Sequence, residues 1–554
     1  MDYMKDFKTK SITFAMLMST ALLTAQTDYP RKDWMLLDAK KDKIAGMSVT
    51  QGYSLLKKKK SNKVIVAVID SGVDYLHEDL KEVMWVNAGE VPNNGKDDDG
   101  NGYVDDINGW NFIGGRDGKN VEHDNLELTR LYRDLSKKFD GKNGPFSDPE
   151  ENKQFNLYKA VKLSYDEKVG EVKGTLKLYQ PIYNDIKFVK DEIKTRFNMD
   201  NATSAELGGL TVDQKDSLSK KIETAKTYLS MGFASDLNEL FEGLKGAVDY
   251  FNGQMEYNYN LDYDPRNIVG DNYNNSSEKN YGNNDVKGPD ASHGTHVAGI
   301  IAGKRFNNIG LDGIADNVQI MSVRVVPDGD ERDKDVANGI RYAVDNGAKV
   351  INMSFGKAWV KDKKVVDDAV KYAESKGVLL IHAAGNENTN IDEVTHYPCR
   401  AMEDGSLVNN WLEIGAMGYD FDIKAGDEEK PLPKSPKFKM IVGDFSNYGV
   451  KYVDVFAPGV DIYSTTPENT YAFFNGTSMA APATSGVAAV LMSYFPNLTA
   501  AQVRDILIKS STKYPKYKLK KPGTKDELVM LSDLSASGGV VNLYNAIKLA
   551  SKIK

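Results

Sequence analysis

The 554-residue sequence has a single cysteine, Cys399, so no disulfide can form within the chain. A chain of this length can bury a core without covalent staples, so this says nothing of its compartment. Positive charge is not in surplus either: 71 Lys and Arg face 79 Asp and Glu, a net charge of −8. With that balance, and no basic stripe, a nucleic-acid backbone is not the expected partner. The one dense cluster, Lys57–Lys60, reads as a solvated loop before a strand. There is no internal repeat, and beyond the first 25 residues no run is long and apolar enough to span a bilayer. What remains is ordinary globular composition, 41% hydrophobic and 27% charged, which excludes disordered, collagen-like and coiled-coil classes.

At the N-terminus Lys5, Lys8 and Lys10 precede an apolar stretch, Ile12–Leu23, that ends in Leu23-Thr24-Ala25. A positive region, a short apolar core and a small residue predict a signal peptide over 1–25 and export to a periplasm, the cell surface or the medium. The stretch is too short for a membrane span, and no cysteine follows it to carry a lipid anchor. Residues 26–60 read as an N-terminal extension.

Val64-Ile-Val-Ala-Val-Ile69, ending at Asp70, is the pattern of a strand buried on both faces. Further strands are predicted at Val318–Val326, Ala348–Met353, Gly377–Ala383 and Trp411–Met417. Helical spacing falls at Asp335–Asn346, Lys363–Lys376, Met479–Tyr494 and Ala501–Lys509. Strand–helix alternation implies an α/β fold with a mostly parallel central sheet covered on both faces. It occupies 61–120 and 281–550. The intervening 121–280 is Lys/Glu-rich, and Ile182, Ile186, Val189, Ile193 and Phe197 share one helical face. So do Leu218, Ile222, Ala225 and Leu229, and then Phe233, Leu237, Leu240, Leu244 and Val248. A largely helical insertion is predicted there, closing in an ordered loop over Asn258–Lys287.

Three stretches carry chemistry. Asp70 ends a buried strand, where α/β sheets build their sites. His293-Gly-Thr-His296-Val-Ala-Gly299 enters a helix; alone, its two histidines suit a metal or a catalytic imidazole equally. Asn475-Gly-Thr-Ser478-Met-Ala-Ala-Pro482 opens another helix, so Ser478 is either a cap or a nucleophile at a positive helix end. Pro482 is expected within the tolerant first turn. Together they supply a carboxylate, an imidazole and a hydroxyl, the set that activates a serine nucleophile. An α/β-hydrolase places Asp and His after its Ser, and no His follows Ser478.

These three motifs, in the order Asp70, His293, Ser478, resemble those of the subtilisin-like serine proteases. The resemblance implies a three-layer subtilisin-like fold and an endopeptidase acting on protein or peptide, with no organic cofactor. Ala383-Ala384-Gly385-Asn386 resembles the segment whose Asn donates to the oxyanion. Ser354-Phe355-Gly356 resembles the edge that aligns an extended substrate, with Ala384 and Gly385 as further substrate contacts. The insertion separates Asp70 from His293 by 223 positions. A roofing insertion would restrict the enzyme to short peptides. A protease scaffold serving only for binding is the reading from another class.

Asp97-Asp-Asp99-Gly-Asn101-Gly102-Tyr103-Val-Asp105 has the spacing of a calcium loop. Its expected ligands are Asp97, Asp99, Asn101, Asp105 and the Tyr103 carbonyl, although Asn108 stands where a bidentate Glu is usual. The resemblance adds Asp79 as a second calcium position, with Asn307 and Asn308 near it. Calcium is thus the expected, structural, cofactor.

Overall fold

The structure is a computed structural model that describes residues 31–419 and 440–553; the leader expected at 1–25 lies outside them. The chain forms two compact units, one helical over 128–263 and one α/β over the remaining described residues.

Strand β1 is Val64–Asp70, and its neighbours β2 (Gly109–Asn111), β3 (Val318–Arg324), β4 (Val350–Met353), β5 (Leu379–Ala383) and β6 (Trp411–Tyr419) lie in the same sheet. They are followed by β7 (Met440–Val442), β8 (Val455–Pro458) and a separate hairpin, β9 (Ile462–Thr466) with β10 (Thr470–Phe474). A two-residue edge strand, β11 (Thr512–Lys513), a small hairpin of β12 (Lys518–Lys520) and β13 (Leu528–Met530), and β14 (Gly539–Val540) complete the set. The main sheet runs β11-β14-β8-β6-β5-β4-β1-β3-β2, parallel from β14 to β2, with β7 antiparallel on β6.

The period of two in a strand explains the three layers. Val64, Val66 and Val68 join one core with Val297 and Ile300 of the Ser292–Ala302 helix and with Val487 and Val490 of the Thr477–Tyr494 helix. Ala67 and Ile69 point the other way, into a second core with Val336 and Ile340 of the Asp333–Asp345 helix and Val366 and Val370 of the Lys363–Ser375 helix. The extension is part of this body: Trp34, Met35, Ile44 and Met47 are buried, the Trp34 indole donates to the Asp461 carbonyl at 3.0 Å, and Leu543 N–H donates to the Met47 carbonyl.

Parallel pairing carries the C-terminal ends of β1, β4 and β5 to one edge in that spatial order, Ile69 opposite Met353 and Met353 opposite His382. Asp70 ends the first, Ser354 follows the second, and Ala384-Gly385-Asn386 follows the third. Neighbouring strands lie about 4.8 Å apart, so residues far apart in sequence meet there.

In the helical unit, a 49-residue helix, Pro149–Phe197, is capped by the Asp148 carboxylate on Glu150 N–H at 3.0 Å and ends at Asn198 in the left-handed region. It buries Ile186, Val189 and Ile193, while the Ser217–Ser230 and Leu237–Gly253 helices that pack on it bury Leu218, Ile222, Leu240 and Leu244. This unit is narrower than the 121–280 stretch marked by composition. Residues 121–127 and 264–280 belong to the α/β unit, where Asp124 N–H bonds the Asp328 carbonyl and buried Arg266 forks onto Asp335 and Asp271.

Candidate active site

Asp70 is 2% exposed; its Oδ1 accepts from Ser71 N–H at 2.8 Å and from His293 Nδ1 at 2.7 Å. The latter contact leaves Nε2 on the outer edge of the ring. The approach depends on the glycine after His293, because a methyl group on Gly294 would lie 2.1 Å from the Gly72 carbonyl oxygen and 3.2 Å from Asp70 Cβ. Burial acts to lower the His293 pKa. The Asp70 charge and hydrogen bond oppose it, Asp290 adds to them, and the net position is above the ordinary 6.5.

His296 has a different job. Its Nε2 lies 3.0 Å from the Ile462 carbonyl and 3.1 Å from that of Ala472, so it carries the proton and donates. The ring stacks on Phe474 at 4.2 Å, and burial pushes its pKa down to about 3. It joins the helix to the β9–β10 hairpin and is no partner to His293 in a metal pair.

Ser478 lies in the first turn of its helix, where N–H groups have no intrahelical acceptor. Its hydroxyl donates to the Ser354 carbonyl at 3.1 Å. The helix begins at Thr477, so Pro482 falls beyond the first turn, against the expectation from sequence. Proline there removes the N–H that would bond the carbonyl four residues back, which is that of Ser478. The Ser354 hydroxyl fills the place, donating to the Ser478 carbonyl at 2.8 Å while accepting from Asn352 Nδ2 at 2.9 Å. The end of β4 thus grips Ser478 from both sides.

Asn386 is oriented by the neighbouring threonine. Its Oδ1 accepts from both the N–H and the hydroxyl of Thr477, each at 2.9 Å. Those two donors settle which end of the amide is oxygen and leave Nδ2 as the free donor. A methyl group on Gly476 would lie 3.7 Å from that Nδ2 and 3.6 Å from Ser478 Cβ, so the amide stands beside the serine. Sequence reading missed Thr477; its place next to Ser478 was the only signal.

Of the proposed substrate contacts, Phe355 and Gly356 have no backbone hydrogen-bond partner among the described residues. Ala384 and Gly385 do: Ala384 N–H bonds the Ile414 carbonyl, Gly385 N–H bonds the Thr477 hydroxyl, and Asn447 takes both their carbonyls. They can offer a wall but not a free edge.

In the acidic loop the carboxylates turn mostly inward, toward backbone. Asp97 accepts from Asn101 and Gly102 N–H, and Asp105 from Asn94 and Gly95 N–H. Among the described residues the carboxylate oxygens gathered within 4.8 Å of one another are those of Glu90, Asp99 and Asp106. Only Asp99 of the expected ligands is in this group. Turn N–H groups bond Asp97 and Asp105, as short Asp side chains invite, and backbone N–H groups of Asp98, Asp99 and Asp105 bond Glu90 in the cluster as well. Asp106 is fully buried and its pKa is pushed up to about 6 by that burial. At the other position Asp79 Oδ1 accepts from Asn307 Nδ2 at 2.6 Å, while its buried Oδ2 has no partner among the described residues. Both places offer the hard oxygen donors that calcium takes.

An imidazole backed by a buried carboxylate, and a serine at a helix start beside an amide donor, are the parts of a serine hydrolase site. The subtilase family model matches residues 61–529, and the chain belongs to that family. Among its relatives, the thermophilic serine proteinase of Bacillus sp. (strain AK1) is 38% identical over 204 residues, 36% of this chain and 43% of that protein. Subtilisin DY of Bacillus licheniformis is 34% identical over 222 residues, 40% of this chain and 70% of its own length. A solved protease of Pseudoalteromonas arctica is 24% identical, covers 48% of this chain and 78% of its own, and has a TM-score of 0.37. The chain therefore spans less than half of the first relative and more than two thirds of the second. Among the described residues no helix is long and apolar enough to cross a membrane.

Proposed function

We propose that this protein is an exported serine endopeptidase that cleaves protein substrates through an acyl-enzyme on Ser478. The observation that carries the reading is the arrangement at adjacent strand ends: Asp70, the last residue of β1, bonded to His293, and Ser354, just after β4, bonded twice to Ser478. On substrate binding the Ser478 hydroxyl turns from the Ser354 carbonyl toward His293 Nε2. The imidazole takes its proton as the oxygen attacks the peptide carbonyl, then gives it to the leaving amine. Asn386 Nδ2 and the Ser478 N–H stabilise the oxyanion, helped by the positive helix end. Water then repeats the sequence and releases the acid. Phe355 and Gly356 offer the backbone edge along which the peptide lies. Export rests on the Lys5–Ala25 pattern.

The test is labelling with a fluorophosphonate probe followed by peptide mapping. Modification confined to Ser478, together with cleavage of casein, supports an endopeptidase. Cleavage of small chromogenic peptides without casein would leave only the short-peptide form, and a folded protein that takes no label would leave a binding scaffold.

Asn386→Ala is expected to lower kcat about 100- to 1,000-fold with little change in KM, a figure (~2.7–4 kcal/mol) that comes from a subtilisin itself. Thr477→Val should cost part of the same factor, because Asn386 Oδ1 then keeps only the backbone donor. Kinetics of the two variants check this, and an unchanged kcat in Asn386→Ala would remove the amide from the oxyanion site.

We also propose structural calcium at the Glu90, Asp99, Asp106 cluster and at Asp79 with Asn307. When bound, the ion would supply the positive charge that these clustered carboxylates, Glu90, Asp106 and Asp79 buried and Asp99 exposed, lack; the residues hold the loop around it. Saturating calcium at a hundredfold excess over Kd is expected to raise stability by about 2.7 kcal/mol. Thermal melts with calcium and with chelator measure this. Glu90→Gln should shrink the difference, and identical melts in both conditions would dismiss the ion.

A further inference from the structure

The Asp70 carboxylate serves His293 only while it points at Nδ1. The donor that turns it there is the N–H of the next residue, Ser71, at 2.8 Å. The turn after β1 must therefore be held still. On one side Val73 N–H bonds the Val286 carbonyl at 3.0 Å, and a methyl group on Gly72 would lie 2.2 Å from the Lys287 carbonyl oxygen. On the other side stands Arg324.

Strand pairing puts it there. Asp70 and Arg324 are the last residues of β1 and β3 and face one another in the parallel register. The N–H groups of Val325 and Val326 both bond the Asp70 carbonyl, at 3.0 and 3.2 Å. From this position Arg324 Nε donates to the Ser71 carbonyl at 2.8 Å, Nη2 to the Val121 carbonyl at 2.6 Å and Nη1 to Asn111 Oδ1 at 3.2 Å. Backbone passes close over the group, because a methyl on Gly288 (φ +67°) would lie 2.3 Å from Nε.

Arg324 is 2% exposed, yet its acceptors are two backbone carbonyls and an amide oxygen. Among the described residues no carboxylate bonds it. A buried charge without a paired counter-charge is destabilising. Burial lowers the pKa to about 10 against the pull of Asp285, Asp290 and Glu122, so the group stays a cation at neutral pH. What arginine supplies in return is reach. Its rigid planar fork bonds the turn after β1, the end of β2 and residue 121 at once.

We infer that Arg324 is a positioning residue for the triad: it clamps the Ser71 carbonyl, and through the Ser71 N–H it keeps the Asp70 carboxylate aimed at His293. The inference rests on the peptidase reading above. Arg324 touches neither substrate nor reacting atoms, so its effect falls on the chemical step and not on peptide binding.

Arg324→Met removes the fork while keeping the length and apolar bulk of the stem. It is expected to lower kcat for a peptide substrate about 100-fold, as a small misplacement near the chemistry does, with KM changed by no more than a few-fold. Active sites are counted by fluorophosphonate. Arg324→Lys keeps the charge but donates from a single point, and is expected to recover about tenfold of that loss. A double-mutant cycle with Asp70→Ala reads whether the effect runs through the carboxylate. With no carboxylate left to aim, adding Arg324→Met is expected to change kcat by no more than a few-fold. Losses that multiply in the double variant, a rise in KM in place of the fall in kcat, or a wild-type kcat in Arg324→Met would overturn the assignment. Arg324→Lys carries the same cycle if Arg324→Met does not fold. Failure of wild-type Ser478 to label would instead strike the peptidase reading, so the two failures are told apart.

Discussion

Ser478→Ala is expected to lower kcat about a millionfold while leaving peptide binding within a few-fold; the magnitude is one known for a subtilisin's own serine. The loss is this large because, on the proposed reading, serine, imidazole and carboxylate act as a unit. The residual rate, about 1,000- to 10,000-fold over water, comes from the oxyanion donors and from binding. Folding should not suffer: alanine is the best helix former, and the Ser478 carbonyl keeps its bond from the Ser354 hydroxyl. Only one contact is lost, the resting hydrogen bond to the Ser354 carbonyl at 3.1 Å. Thermal melts of the two proteins should therefore coincide. A variant that melts like wild type yet keeps a hundredth of its rate would show that another residue attacks the substrate.

Asp70→Asn is the second large effect, a fall in kcat of about ten-thousandfold near neutral pH, as seen when a triad carboxylate becomes an amide. Asparagine can still accept from Ser71 N–H and His293 Nδ1, so the change removes charge at nearly constant shape. His293 must be neutral to act as a base. In wild type its pKa lies above 6.5, because the Asp70 charge and hydrogen bond outweigh burial. The rate of wild type therefore climbs as pH rises through a value above 6.5 and falls below it as the ring is protonated. Without the carboxylate, burial dominates and the ring loses its proton more readily. The acid limb of the variant should then move to lower pH even as its plateau drops. A pH–rate profile of both proteins is the measurement, and an acid limb that stays in place would mean that Asp70 does not govern His293.

The elements that bear the chemistry could be read from the chain because each rests on a local pattern. The buried run at Val64–Asp70, the small residues after His293 and the Gly-Thr-Ser at the helix start each need particular neighbours to form. Other parts are set by contacts across the sheet, which local patterns do not encode. Thr477 carries no signal of its own; its two donors meet Asn386 Oδ1 only because the chain ends of different elements converge there. Pro482 reads as a first-turn residue because the spacing starts the helix at Met479, two residues after its actual start at Thr477. The acidic loop shows the same limit: its spacing predicts Asp97, Asp99, Asn101 and Asp105 as ligands, while the cluster of Glu90, Asp99 and Asp106 includes two residues outside that spacing, which only the folded loop brings together.

The strand order has a consequence for synthesis. β1 leaves the ribosome early, but both of its partners in the sheet, β3 and β4, are drawn from beyond residue 317, and the alcohol comes later still. A growing chain thus cannot bring Asp70, His293 and Ser478 to one sheet edge until most of its length has been made.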